Sequence, residues 1–321
     1  MSIVSGQTEI RGWGIAATGE RGGPAAVAGL ASDAVRAAIR AGALQAGEVE
    51  GAGLCLGIQY GRAEQVRRAV DVASELRLHG FCDPLSFAHS ITGAVVGQVA
   101  LDHGIGGRTL AVNTGALSGL DAIGLAHHAL LSNPGSLAIA VGADSGRAAT
   151  LSQNATTSNH AEVRGAAAAL VLEKPENPTN DGAVLLSSYH SEHLDFGPDG
   201  DEELSSWVDA RLAAAGASWQ DLALAALAGD PARLSPLRRA LQKNSVPVLT
   251  ACRFWGSAGA GAAATASAFA VTFLQRARVP GPTGRANVGI VLALDASGRS
   301  SCVVLTQSVR HRGASYREFH R

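Results

Sequence analysis

The run AVNTGALSGLDAIGLAHHALL, residues 111–131, passes from a buried strand through a tight turn into a helix. Many folds hold a thiol or hydroxyl nucleophile at such a turn, where a neighbouring base activates it. Here the tip is Ala116, and a methyl group cannot be acylated. Ser118 is the nearest hydroxyl, at a helix start whose dipole would favour an anion. The chain has no GxSxG elbow and no base identifiable near Ser118, so this residue is expected to cap a helix beginning at Gly119 or Leu120.

Other residue patterns carry weaker chemistry. GSAGAG, residues 256–261, follows the strand-like VPVLTAC and has the outline of a dinucleotide-binding turn, but close helix packing explains isolated glycines better. His127 and His128 fall on a helix, and His190 and His193 lie three apart in or just after a strand. No convergent third or fourth ligand accompanies either pair, so they are expected to be structural or surface histidines, with no metal bound. Cys55, Cys82, Cys252 and Cys302 form no CxxC pair and suit a core as small apolar residues. The tail SVRHRGASYREFHR is basic, and a solvated terminus is expected rather than contact with an acidic carrier.

The elements that must position these residues alternate along the chain. AAVAGLASDAVRAAIRAGAL, RAEQVRRAVDVASELR, ITGAVVGQVALDHG and GLDAIGLAHHALLS have helical character, interleaved with the strand candidates GAGLCLGIQYG, RTLAVNT, SLAIAVGAD and AAAALVLE. After the polar KPENPTNDG the rhythm repeats. GAVLLSSYH, LALAALAGD, VPVLTAC, NVGIVLALD and SSCVVLTQS predict strands, and DEELSSWVDARLAAAG, ARLSPLRRALQ and GAGAAATASAFAVTFLQRA predict helices. The pattern predicts an α/β chain with an internal duplication, divided into residues 1–174 and 175–321.

The 321 residues are 46% hydrophobic with a net charge of −1, enough for a large core and without an electrostatic footprint for nucleic acid or an anionic membrane. The N-terminus lacks a signal-peptide pattern and no apolar run is long enough to span a bilayer, so a cytoplasmic location is expected.

Residues 84–145 resemble the β-ketoacyl synthases, the condensing enzymes of the thiolase fold. The resemblance rests on Pro84, VGQVA at 96–100, GIGG at 104–107, NTGALSGL at 113–120 and AVGAD at 140–144. FWGSAGAGAAATASAFA and PGPTG are similar to later motifs of the family, in the same order. The resemblance implies a thiolase-like fold of two pseudo-repeated βαβαβ halves in α-β-α-β-α layers. It also places Ala116 at the family's catalytic cysteine. Both catalytic histidines of the family lie in the second half, whereas this sequence has none between His193 and His311. Ser257 stands where one of them is expected, Arg253 takes the place of a lysine, and LDASGRSSCVVL replaces a phenylalanine-containing loop while keeping Gly298.

A ketosynthase scaffold without its catalytic groups resembles the chain length factors of type II polyketide synthases. That implies a partner, an active ketosynthase paired through RTLAVNT, with acyl carrier protein served by the complex. His89, Ile91, Thr92 and Val95 would then lie at the tunnel or interface, together with Asn113, Thr114 and Ala116. Ala116 and the short loops fit systems making reduced, polyene-type chains. No cofactor is implied. The alternatives are a homodimeric scaffold for an acyl group or carrier protein, a priming malonyl-carrier decarboxylase, which would still need the histidines, and an enzyme using Ser118.

Overall fold

Long apolar runs such as LAIAVGAD and AAAALVLE require a cover on both faces, because a continuous hydrophobic strand has no side to give to water. The computed structural model of the chain shows how each is covered. It describes residues 6–17, 26–59, 74, 91–133, 135–144, 165–175, 182–193, 201–229, 231–251, 259–277, 287–295 and 297–308.

The first half contains β1 (Thr8–Ala17), α1 (Ala26–Ala41), α2 (Ala46–Gly51), β2 (Gly53–Gly57), α3 (Thr92–His103), β3 (Thr109–Val112), α4 (Ser118–Leu131), β4 (Leu137–Asp144) and β5 (Ala166–Glu173). The second contains β6 (Val184–His193), α5 (Asp201–Ala214), β7 (Leu222–Gly229), α6 (Pro231–Lys243), β8 (Val248–Thr250), α7 (Gly259–Arg276), β9 (Val288–Leu294) and β10 (Arg299–Gln307). The strands run in the order β3-β2-β4-β5-β1-β6-β10-β9-β7-β8. From the outer edge inward, the first half reads β3-β2-β4-β5-β1 and the second β8-β7-β9-β10-β6, the same topology twice. Strand directions repeat too: β2 is parallel to β3 and β4, and β7 to β8 and β9, while β5 and β10 are antiparallel to both of their neighbours. The duplication that the sequence shows only as rhythm is therefore a topological repeat.

The halves meet in a short ladder in which Thr8 faces Leu186 and Glu9 faces Leu185. Between their inner faces lie α4 and α7, packed with residues of both halves into one core that includes Leu120, Ile123, Leu170, Ala264, Val291 and Val303. A second core lies under α1 and α3, around Leu54, Val95 and Ile139, and a third under α5 and α6, around Leu212, Leu237 and Ile290. The five layers α-β-α-β-α follow directly.

Sequence periodicity misses β1. Its buried positions are Thr8, Ile10, Gly12 and Gly14, so the alternation is disguised by glycine. Those glycines are required by close packing: a Cβ on Gly12 would lie 2.4 Å from Gly42 N, and one on Gly14 2.4 Å from Ala34 O. Helix α1 rests directly on the strand backbone.

Candidate functional site

At the end of β3 the chain turns through a short 3₁₀ segment, Gly115–Leu117, and enters α4 at Ser118. Gly115 has φ +75°, a conformation that a side chain disfavours. Ser118 is fully buried, and α4 begins at this residue itself, one position before the expected start. Its hydroxyl does not cap the helix in the usual sense. It accepts the Thr114 N–H at 2.8 Å and donates to the Gly115 carbonyl at 2.7 Å, fastening the turn from inside. Among the described residues no imidazole bonds to it, so it has neither the exposure nor the base of a nucleophile.

Beneath the turn lies Asp121, a buried carboxylate that serves as a common acceptor. Thr114 Oγ1 donates to its Oδ2 at 2.5 Å, and Tyr189 OH to its Oδ1 at 2.9 Å. Ser301 Oγ also donates to Oδ1 and lies 3.2 Å from Ser191 Oγ. Burial, then the Asp121 charge, pushes the Tyr189 phenol above its ordinary value, which keeps it a donor. Its ring lies against Gly124, where a Cβ would come within 2.3 Å of it. The Thr114 carbonyl in turn accepts Arg299 Nη2 at 2.5 Å. Thr114 thus has its N–H, hydroxyl and carbonyl all engaged. The site is a hydrogen-bond system that ties the turn after β3 to α4, β6 and β10.

The other sequence candidates separate. Ile91 is exposed, Thr92 half-buried at the start of α3, and Val95 completely buried in the core beneath that helix. Asn113 is exposed, and Thr114 and Ala116 are half-buried. His89 and Ser257 lie outside the described residues, as do Pro84, Arg253, Cys82, Cys252, residues 280–284 and the basic tail. Within GSAGAG, Gly259 and Gly261 open α7, where a Cβ on Gly261 would meet Ala166 O at 2.1 Å. The Asp144 carboxylate already accepts the Ala260 N–H at 2.7 Å. A phosphate at the start of α7 would meet that carboxylate.

Among the described histidines, His127 and His190 have defined surroundings. His127 is buried with its Nδ1 3.0 Å from Thr8 Oγ1, and burial followed by its neighbour His128 pushes it down to about 4. His190 faces Arg211 Nη1 at 2.9 Å, and burial, then that guanidinium, lowers its pKa. Cys55 and Cys302 are free, buried thiols. No group of three or more metal-ligating side chains occurs among the described residues. No described helix is long and apolar enough to cross a membrane.

Sequence reasoning misses Asp121, Tyr189, Ser301 and Arg299. The available signal is a single acid in the otherwise apolar start of α4, but its partners come from the other half of the chain.

No family model matches the chain. No curated protein matches it either. Solved structures do match, across nearly its whole length. A chain in the structure of the ishigamide ketosynthase/chain length factor superposes with a TM-score of 0.70 at 17% identity, covering 94% of this chain and 99% of that one. The fold is that of the thiolase-type ketosynthases. A second ketosynthase-fold relative in structure is a chain of the AntDE:AntF complex, a type II PKS acyl-carrier protein with its ketosynthase bound to the hexaketide. It matches with a TM-score of 0.70 at 14% identity, covering 95% of this chain and all of that one (100%). A β-ketoacyl synthase from Burkholderia phymatum gives 0.67 at 16% identity, with coverages of 88% and 82%.

Proposed function

We propose that this chain is the non-catalytic partner of an active ketosynthase in type II polyketide assembly, a chain length factor that walls the acyl tunnel of the complex. The observation that carries this is the turn itself. A ketosynthase scaffold holds a methyl group at the tip, and the polar groups below it are committed to one another. The priming decarboxylase reading would require histidines, and residues 194–310 contain none.

The surface supports pairing. Strand β3 ends the sheet and bonds to β2 on one side. Thr109, Leu110 and Ala111 are exposed along it. Helix α3, which packs beside β3, exposes Leu101 at 80%, and Ile91 just before it is 51% exposed, apolar area that a second chain would cover. Among the described residues the outer edge of β3 has no paired strand, and such an edge with exposed leucine invites aggregation unless a partner occupies it. An active ketosynthase presenting its own corresponding edge would occupy it, and its product would leave on acyl carrier protein. A homodimer could use the same edge.

The test is co-expression with a ketosynthase from the same genome, followed by native mass measurement. A one-to-one heterodimer that forms polyketide only when both chains are present is expected. A stable homodimer that ignores the ketosynthase would overturn the proposal in favour of a scaffold.

A further inference from the structure

The turn between β9 and β10 holds Arg299 with unusual firmness. Asp295 Oδ1 accepts the Ser297 N–H at 2.9 Å, the Ser297 hydroxyl at 2.7 Å and the Arg299 N–H at 3.0 Å. Its other oxygen accepts Arg299 Nε at 3.0 Å. Gly298, at φ +91°, lets the backbone fold back so that Asp295 and Arg299 also share a main-chain bond of 3.0 Å. Burial alone would raise the Asp295 carboxyl, but hydrogen bonds from Ser297 and Arg299 and the adjacent guanidinium hold it below its ordinary range.

The guanidinium so fixed reaches across to the first half of the molecule. Arg299 Nη2 donates to Thr114 O at 2.5 Å and lies 3.2 Å from the point where a Cβ on Gly115 would sit. Ser118 and Asp121 hold the turn from inside, and Arg299 covers it from the open side. We propose that Asp295 and Arg299 form a strap that closes this chain's own turn, so that an acyl thioester is excluded at Ala116 and directed to the partner. This rests on the non-catalytic reading but goes further: the turn is shut sterically as well as lacking a thiol.

The test introduces a reporter thiol. Ala116→Cys is compared with Ala116→Cys/Arg299→Ala and Ala116→Cys/Arg299→Met, the last keeping the aliphatic stem without a donor. Iodoacetamide labelling is followed by mass on the tryptic peptide from Thr109 to Arg147, which holds no native cysteine. Alkylation is expected to accelerate about tenfold in both double variants, the change in open population that one lost charge-assisted hydrogen bond gives. Ala116→Cys/Asp295→Asn, which leaves Arg299 in place but loosens it, should give a smaller increase and keeps the test intact if Arg299→Ala fails to fold. Equal rates in all folded variants would overturn the strap. A homodimer in the co-expression experiment would overturn the partner proposal and leave this result untouched.

Discussion

Asp121 shows how one buried carboxylate fastens the turn between β3 and α4 to the second half of the chain. A buried carboxylate is costly unless donors surround it, and here three hydroxyls do so from two halves of the chain. Each hydrogen bond to a charged group is worth roughly 1.5–3 kcal/mol. Tyr189→Phe and Ser301→Ala are each expected to lower stability by about that amount, read as a fall in the urea midpoint with unchanged slope. Asp121→Ala should cost more than either, because three buried donors lose one acceptor. His127 gives a pH signature. Unfolded, it takes up a proton near 6.5, whereas folded it resists until about 4. Its contribution is therefore full above pH 6.5 and is lost as pH falls from there towards 4. The loss amounts to about 3 kcal/mol. Urea midpoints measured across that window should show it, and His127→Gln should flatten the profile.

Among elements, the central helix pair sets the tightest constraint. Helices α4 and α7 approach so closely that a Cβ on Gly119 would stand 2.1 Å from Ala260 O, and α4 lies equally close to β2, where a Cβ on Gly57 would stand 2.0 Å from Ser118 O. Gly119→Ala should cost more than about 3 kcal/mol or prevent folding, since two backbones must separate. Gly97, inside α3, has open space where a Cβ would go. Gly97→Ala should stabilise the chain by about 0.5–1 kcal/mol, and thermal melting of the two variants side by side checks both signs. These elements show why some of the fold is legible in sequence and some is not. Strands β4 and β5 announce themselves as unbroken apolar runs, and the strand, turn and helix around Ala116 are contiguous. Strand β1 hides because helix contact demands glycine where alternation would show a large apolar residue. The Asp121 cluster hides because Ser301 is 180 positions away and Tyr189 is 68. Only the duplicated topology brings them together.

For the molecule as a whole, the proposed function puts assembly and product control at the exposed β3 edge and the start of α3. Leu110→Lys places a charge on the edge strand, where Leu110 is 39% exposed. The heterodimer should be lost, as seen by native mass, while the melting temperature of the chain itself changes little. Thr92→Phe, half-buried at the head of α3, should shorten the polyketide without stopping the first condensations, as read from product masses. Val95→Phe is the contrasting control. Val95 lies wholly within the core, so this change should destabilise the chain by about 1–3 kcal/mol through overpacking and leave product length unaltered in whatever folds.

The position of β1 bears on how the protein is made. Strand β1, Thr8–Ala17, is synthesised well before β5 and β6, between which it ends up. Its neighbours are completed only at Glu173 and His193. At a translation rate of about 5–20 residues per second, β1 waits on the order of 10–30 s with both edges open. Glycine at alternate inward positions and charge at Glu9 and Arg11 make it a poor template for mispairing during that interval. The segment that later joins the halves is also the one best suited to delay.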